Sequence, residues 1–551
     1  MLVADSNRLW SNSKRLSVAT NFTHIVASVG SHGTLSLGKF QCPSWECQRR
    51  RKTINLNANS NDLCRLALAN WAKGQRRSAV ETAWAAFDLD SSDRAVKLLL
   101  ADLLDCFPSE LVSERRAAFL ELLTDRDVEP IFLSPAGWHL VLRSHALAGD
   151  ALEDAALKSW AVAFGSDKLA IALLCETPVC SPVAERLLTR LRRWLLLSGE
   201  WQRHSDLVSA LTVQASLNGG AWPFDDAERA RLGDVDSAPV VAAYLPRRPI
   251  TGAVEAEAAD PVARAATAQY EGWPYPVWTR ITVAKPKRFP DMVRKIDPRA
   301  AEALPVDANI LIAGCGTGRQ AAMVASEYPD AIVTAIDVSE ASLAYGRRQC
   351  AELGIDGVQF RKLNLYDVAQ LGQRFEAIYC SGVLHHLPDP ERGLGALVDV
   401  LQPGGVMSIN VYSRIARLIV AGARTFIRDL AQQPVSDDLL REVRRRFLEA
   451  PEHPLAAQII YVQDFVTLAG TYDLLLHRHE DPFDIPRIER ALKRFGLYLL
   501  SFQLPTPWAT ARYDAMFPGD PKHRDFNSWH TFEKREPWLF SGMYKFWCRK
   551  D

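Results

Sequence analysis

The chain has 551 residues, 48% of them hydrophobic and 24% charged, which exceeds one hydrophobic core and predicts two or three domains. Lys+Arg and Asp+Glu each number 65, so no global field favours nucleic acid or an anionic membrane surface. No apolar run reaches the ~18 residues of a membrane-spanning helix.

Residues 1–55 are mixed and weakly periodic, without the apolar centre of a signal peptide, and read as a poorly ordered extension. Residues 60–235 are helical in pattern and predict an all-α, repeat-like domain. Within Asn61–Leu89, the residues Leu66, Ala69, Trp71, Gly74, Ala79 and Ala83 stand as in a tetratricopeptide helix pair, where small residues let helices approach. Val183–Ser198 remains amphipathic, but the repeat period lapses, and an irregular helical domain is the alternative. Residues 245–262, rich in Pro, Gly and Ala, read as a linker.

From Asp307 strands and helices alternate. Asn309–Ala313, Ala331–Ile336, Val358–Leu363 and Ala377–Cys380 read as strands; Arg319–Tyr328, Ser339–Leu353 and Pro390–Leu401 read as helices. Pro403-Gly404-Gly405 then turns the chain into a strand over Val406–Val411. This rhythm predicts an α/β Rossmann-like domain over 263–551, its mostly parallel sheet covered by helices on both faces. Ile485–Phe495 reads as a helix. Leu497–Leu504 and Gly542–Cys548 would complete seven strands, leaving the arginine-rich segment 412–484 as a helical cap over the carboxyl edge.

Ligands of such sheets sit outside the carboxyl ends of the strands. Gly314-Cys315-Gly316-Thr317-Gly318 lies there, followed by a helix whose free N–H groups suit an anion. Asp337 ends the next strand, 21 residues after Gly316, where a carboxylate can accept both hydroxyl protons of a ribose. A dinucleotide fingerprint wants G-x-G-x-x-G, and position 319 is Arg. The spacing G-x-G-x-G, with FEAIYCSGVLHHLPDPERGLGALVDVLQPGGVMSI downstream, resembles class I S-adenosylmethionine-dependent methyltransferases.

That resemblance implies S-adenosylmethionine as cofactor. Gly314, Cys315, Gly316 and Gly318 would line its methionine and ribose part, Asp337 would hold the ribose, and Val338 would lie beside the adenine. Asn364 stands where the family usually has Asp, and its carbonyl can still accept from the adenine amino group; Leu365 would cover the ring. Many members carry an acidic residue at the position of Ile312, so another group must hold the methionine amine. The chain also resembles a bacterial group joining tetratricopeptide-like helices to a methyltransferase domain, through Gln269–Trp278 (QYEGWPYPVW) and Gly542–Trp547 (GMYKFW). The first is expected to be an arm that closes over the cofactor, or a linker packed on the domain surface.

On the substrate side, His385-His386 follow the fourth strand, and Tyr412 and Ser413 end the fifth. His477-Arg478-His479-Glu480 is the densest titratable cluster; on a helix His477 and Glu480 would share a face, either as a base and its orienter or, the favoured reading, as a solvated helix end. His385, Tyr412, His477 and Glu480 are therefore the candidate substrate contacts. No metal-ligand spacing is present. The ten cysteines include no Cys-x-x-Cys pair and read as free thiols of a reducing cytoplasm. Arg441, Arg444, Arg445 and Arg446 read as a solvated face, with an anionic substrate or nucleic acid as the lesser reading. The function expected is methyl transfer to an unidentified acceptor, possible with no catalytic base because the sulfonium already leaves well. The alternative is a cofactor-binding scaffold, or an inactive methyltransferase, that recruits a protein partner through its helices.

Overall fold

The computed structural model describes residues 59–145, 154–246, 260–282, 285–540 and 542–551. The extension expected over 1–55 and most of the linker expected over 245–262 lie outside the described residues. The described residues form two compact units that divide between Leu103 and Leu104.

In the first unit, helices Ser60–Ala72 and Arg76–Leu89 pack on each other. Asn59 caps the first by accepting from Asp62 N–H, and Gly74 turns the chain at φ +72°. The buried stripe runs through Leu63, Ala67 and Trp71, the i, i+4, i+8 rows of one helix face. Leu66 and Ala69, expected in the packing, are exposed. Ala79 and Ala83 do lie at the contact, fully buried.

The second unit opens with further helices. Pro182–Ser198 shows why they form: Ser181 accepts from Ala184 N–H, Pro182 occupies the first turn, and Gly199 ends the helix at φ +74°. One face carries Leu187, Leu188, Leu191 and Leu195. The charged Glu185 and Arg192 are buried with them.

The sheet has seven strands: β1 (Asn309–Ala313), β2 (Ile332–Asp337), β3 (Val358–Lys362), β4 (Phe375–Ser381), β5 (Leu401–Val411), β6 (Leu497–Gln503) and β7 (Tyr544–Lys550). Their order is β3-β2-β1-β4-β5-β7-β6. The first five are parallel, and β7 runs antiparallel to both neighbours. Ile310 and Ile312 enter the core on one face of β1, Leu311 and Ala313 the core on the other. Burial on both faces explains the unbroken apolar runs of the central strands. The Pro403-Gly404-Gly405 turn sits at a register shift, after which Val406 pairs with Ala377.

Two helices between β6 and β7, Pro507–Met516 and Phe526–Arg535, were not expected. They bury Tyr513, Trp529 and Phe532 in an aromatic cluster. The insertion after β5 folds over the carboxyl edge around its own core, including Val443, Phe447, Phe465 and Leu475.

The arginine run is a solvated face only in part: Arg445 is exposed and Arg446 half-buried, whereas Arg441 and Arg444 are buried. Arg444 is fully buried and donates to both carboxylate oxygens of Glu185 at 2.6 and 2.7 Å and to Ala221 O at 3.3 Å. Arg441 donates to Gly220 O at 2.8 Å, Arg445 pairs with Glu442 and Glu449, and Arg446 pairs with Asp429. The two inner arginines thus bind the cap to the preceding helices.

Candidate functional site

The glycine loop leaves β1 at Ala313. A Cβ at Gly314 would stand 2.3 Å from a Val383 methyl, and one at Gly316 would stand 2.8 Å from Tyr275 O. Both glycines have positive φ, so larger residues are excluded by space and by backbone conformation. Cys315 is packed into the core, its N–H on Ile336 O at 2.9 Å, and burial pushes its thiol well up. It contributes backbone to the loop, not a reactive sulfur.

Asp337 ends β2 facing this loop, one carboxylate oxygen accepting from Gly316 N–H at 2.8 Å and the other from Ser339 N–H at 2.9 Å. Burial raises its pKa against the lowering effect of those bonds. A backbone bond from Val338 adds to these, and the carboxylate, with about four lone-pair sites, still has room for a further donor. Val338 beside it is half-buried. Asn364 caps the turn after β3, its carbonyl accepting from Tyr366 N–H at 3.0 Å. The Leu365 side chain is buried in the main core.

Helix Pro261–Gly272 and the aromatic segment after it lie against the loop. Thr317 Oγ1 donates to Pro276 O at 2.5 Å, and Trp278 Nε1 donates to Thr317 O at 3.0 Å. Tyr270 OH donates to Asp473 of the cap at 2.8 Å, Tyr275 OH bonds to Asp464, and Trp273 Nε1 donates to Asp437 at 3.2 Å. Glu271, which the sequence did not single out, caps the helix after β2. Its two oxygens accept from Glu340 and Ala341 N–H at 2.7 and 3.0 Å, a carboxylate at a helix N-terminus. Neighbouring Gln269 is buried, and its carbonyl oxygen has no partner among the described residues.

Beyond β4 and β5 the histidines converge. His385 and Tyr412 have ring centroids 3.8 Å apart, and His386 stacks on His477 at the same separation. Tyr412 OH reaches Asp473 at 3.4 Å. His477 and Glu480 do not share a helix face, because the helix ends at Leu476 and His477 has ψ 129°. Glu480 turns instead to Arg417 and Arg424, the latter at 2.7 Å. One potential ligand atom each from His386, Asp473 and His477 lies within 4.8 Å of the others, a grouping from separate elements that no linear spacing announces.

Comparison with known proteins places the domain. A family model described as a methyltransferase domain matches residues 310–405. An uncharacterized protein of Synechococcus is 50% identical over 109 residues, 20% of this chain and 26% of that protein. A ubiquinone biosynthesis O-methyltransferase of Pseudomonas putida is 30% identical over 175 residues, 31% of this chain and 73% of that enzyme. The chain belongs to the methyltransferases. Among solved structures, PKMT2 from Rickettsia typhi in complex with AdoHcy is 15% identical with TM-score 0.36, covering 48% of this chain and 53% of that one. The chain thus spans about a quarter of the first relative's length. No described helix of this methyltransferase is long and apolar enough to cross a membrane.

Its histidines predict a pH response. Burial, reinforced by Arg417 and Arg424, pushes His386 down to about 3; burial, with His386 beside it, pushes His477 to about 3. An unfolded histidine titrates near ~6.5. Below that pH the unfolded chain binds protons that the folded site refuses. Stability is therefore complete above about pH 6.5 and falls as pH is lowered toward 3, by about 1.4 kcal/mol per pH unit and group. The urea midpoint is expected to fall more steeply below pH 6 than in His386→Gln/His477→Gln, and equal slopes would refute the assignment.

Proposed function

We propose that this methyltransferase transfers the methyl group of S-adenosylmethionine to an acceptor bound beside the histidine cluster. The observation that carries the reading is Asp337, placed at the carboxyl end of β2 with Gly316 N–H on one oxygen and acceptor capacity left for a further donor. Asp337 would hold the ribose hydroxyls, with the backbone of Gly314, Cys315, Gly316 and Gly318 along the methionine part. Val338, Asn364 and the backbone at Leu365 would border the adenine. The buried, partnerless carbonyl of Gln269 fits an ammonium donor and would supply the anchor that Ile312, buried in the core, does not.

When bound, the cofactor supplies a sulfonium methyl and departs as a thioether. The chain's own part is alignment and exclusion of water. The Gln269–Trp278 arm, tied to the cap by Tyr270 and Tyr275, covers the glycine loop, and His385, Tyr412 and His477 face the acceptor. Glu480 acts by fixing Arg417 and Arg424. In this reading the chain is a cytoplasmic member of the bacterial group with tetratricopeptide-like N-terminal helices, which offer a docking surface for a protein partner.

The full chain is to be incubated with methyl-labelled S-adenosylmethionine and cell extract, with Asp337→Ala as control. Label is expected in extract molecules with the unchanged chain only. Equal label with both proteins, or none with either, overturns the reading.

A further inference from the structure

The three histidines of the cluster differ in which nitrogen carries the proton. His385 Nδ1 accepts the Tyr412 N–H at 3.1 Å, and His477 Nδ1 accepts the His479 N–H at 3.2 Å. A neutral imidazole whose Nδ1 accepts must carry its proton on Nε2. His386 Nδ1 instead faces the carbonyl of His479 at 3.1 Å. A carbonyl only accepts, so His386 is protonated at Nδ1 and keeps a lone pair on Nε2. All three side chains are buried, and burial holds each ring neutral.

Two of the rings thus present N–H groups with nothing to bind. His385 Nε2 and His477 Nε2 are buried without a hydrogen-bond partner among the described residues. An unpaired buried donor carries its full desolvation penalty, and such a pair in one cluster calls for an acceptor from outside the chain. The two rings flank His386, with centroids 4.3 and 3.8 Å from it, so both donors belong to one cluster.

The surrounding charges select the ligand. Arg417 lies 4.1 Å from the Tyr412 ring, against which His385 packs at a tilt of 33°, and its charge disfavours protonation of both His385 and His386. Arg424 adds to this at His386 and His477. Asp473 opposes them at His477 but is engaged by Tyr270 OH at 2.8 Å and Tyr412 OH at 3.4 Å. Glu480 is held by the two arginines.

A divalent cation would need a lone pair from each of His386, Asp473 and His477. His477 has none to give, since Nδ1 is taken by a backbone N–H and Nε2 carries the proton. The donors favour an anion over a metal.

We propose that the Nε2–H groups of His385 and His477 bind the carboxylate of the methyl acceptor, which is a small organic acid. This rests on the methyltransferase reading above, since it takes the acid as the acceptor. It names a substrate class that neither the glycine loop nor Asp337 specifies.

The test uses the full chain labelled with 15N-histidine and saturated with S-adenosylhomocysteine, its binding measured first by calorimetry. Nitrogen shifts are expected to report His385 and His477 as Nε2–H tautomers. Acetate is expected to shift both signals saturably, at least tenfold more tightly than the neutral isostere acetamide. His385→Leu and His477→Leu should abolish the acetate preference. His385→Gln and His477→Gln, which keep an N–H near the Nε2 position, should retain part of it. Nδ1–H tautomers, equal response to acetate and acetamide, or loss of the Nε2 protons to micromolar zinc would each overturn the proposal while leaving the methyltransferase reading intact. Failure of S-adenosylhomocysteine to bind would overturn both.

Discussion

Arg444→Ala is expected to lower the unfolding free energy of the full chain by about 3–5 kcal/mol, read as a fall in the urea midpoint at unchanged slope. The reason is asymmetric. Arg444 is fully buried, and its partner Glu185 is 5% exposed at the side chain. Removing one partner leaves a buried charge with no counter-ion, which costs far more than the pair contributes as a unit. Glu185→Ala should be as damaging, because it strands the guanidinium. Arg444→Met/Glu185→Leu, which leaves no charge behind, should recover most of the loss. Two single variants each within about 0.5 kcal/mol of the unchanged protein, the range of a neutral surface substitution, would rule out the buried pair.

Asp337→Ala is expected to weaken S-adenosylhomocysteine binding about 50-fold by calorimetry. Hydrogen bonds to a charged group contribute roughly 1.5–3 kcal/mol each, and one such bond at the middle of that range amounts to about a 50-fold change in Kd. The substitution also strips Gly316 and Ser339 of the acceptor for their N–H groups, so the glycine loop loses its internal brace. Asp337→Asn keeps one accepting oxygen and should fall between the two. An affinity within twofold of the unchanged chain would remove Asp337 from the site.

The central sheet was legible in the sequence because strands buried on both faces leave a simple record. Ile310, Leu311, Ile312 and Ala313 are all apolar, since successive side chains enter opposite cores. The glycine loop and Asp337 were legible for a related reason, being local constraints of backbone and strand end. Other parts depended on partners far away in the chain. Arg441 and Arg444 look like surface charge until Gly220, Ala221 and Glu185 are brought to them. The expected His477–Glu480 pairing assumed one more helical turn than the chain makes. Between β6 and β7 the helix signals were present in Thr506, followed by a proline, and in Asp525, and the side chains of Thr506 and Asp525 cap the two helices. The apolar positions there are mostly aromatic and widely spaced, which hid the period. Leu66 and Ala69 fit a repeat pattern, but the face that packs is the one through Ala67.

Asp473 belongs to two structures at once. It is the acceptor for Tyr270 of the arm, and it stands in the cluster of His386 and His477. Swinging the arm away would leave a buried carboxylate short of its shortest hydrogen bond, at a cost of about 1–3 kcal/mol. A cost of that size makes the open arrangement about 5- to 150-fold rarer than the closed one. The carboxylate therefore acts as a latch. One side chain thus joins the position of the arm to the packing of the histidine cluster, so a substitution at Asp473 is felt on both sides.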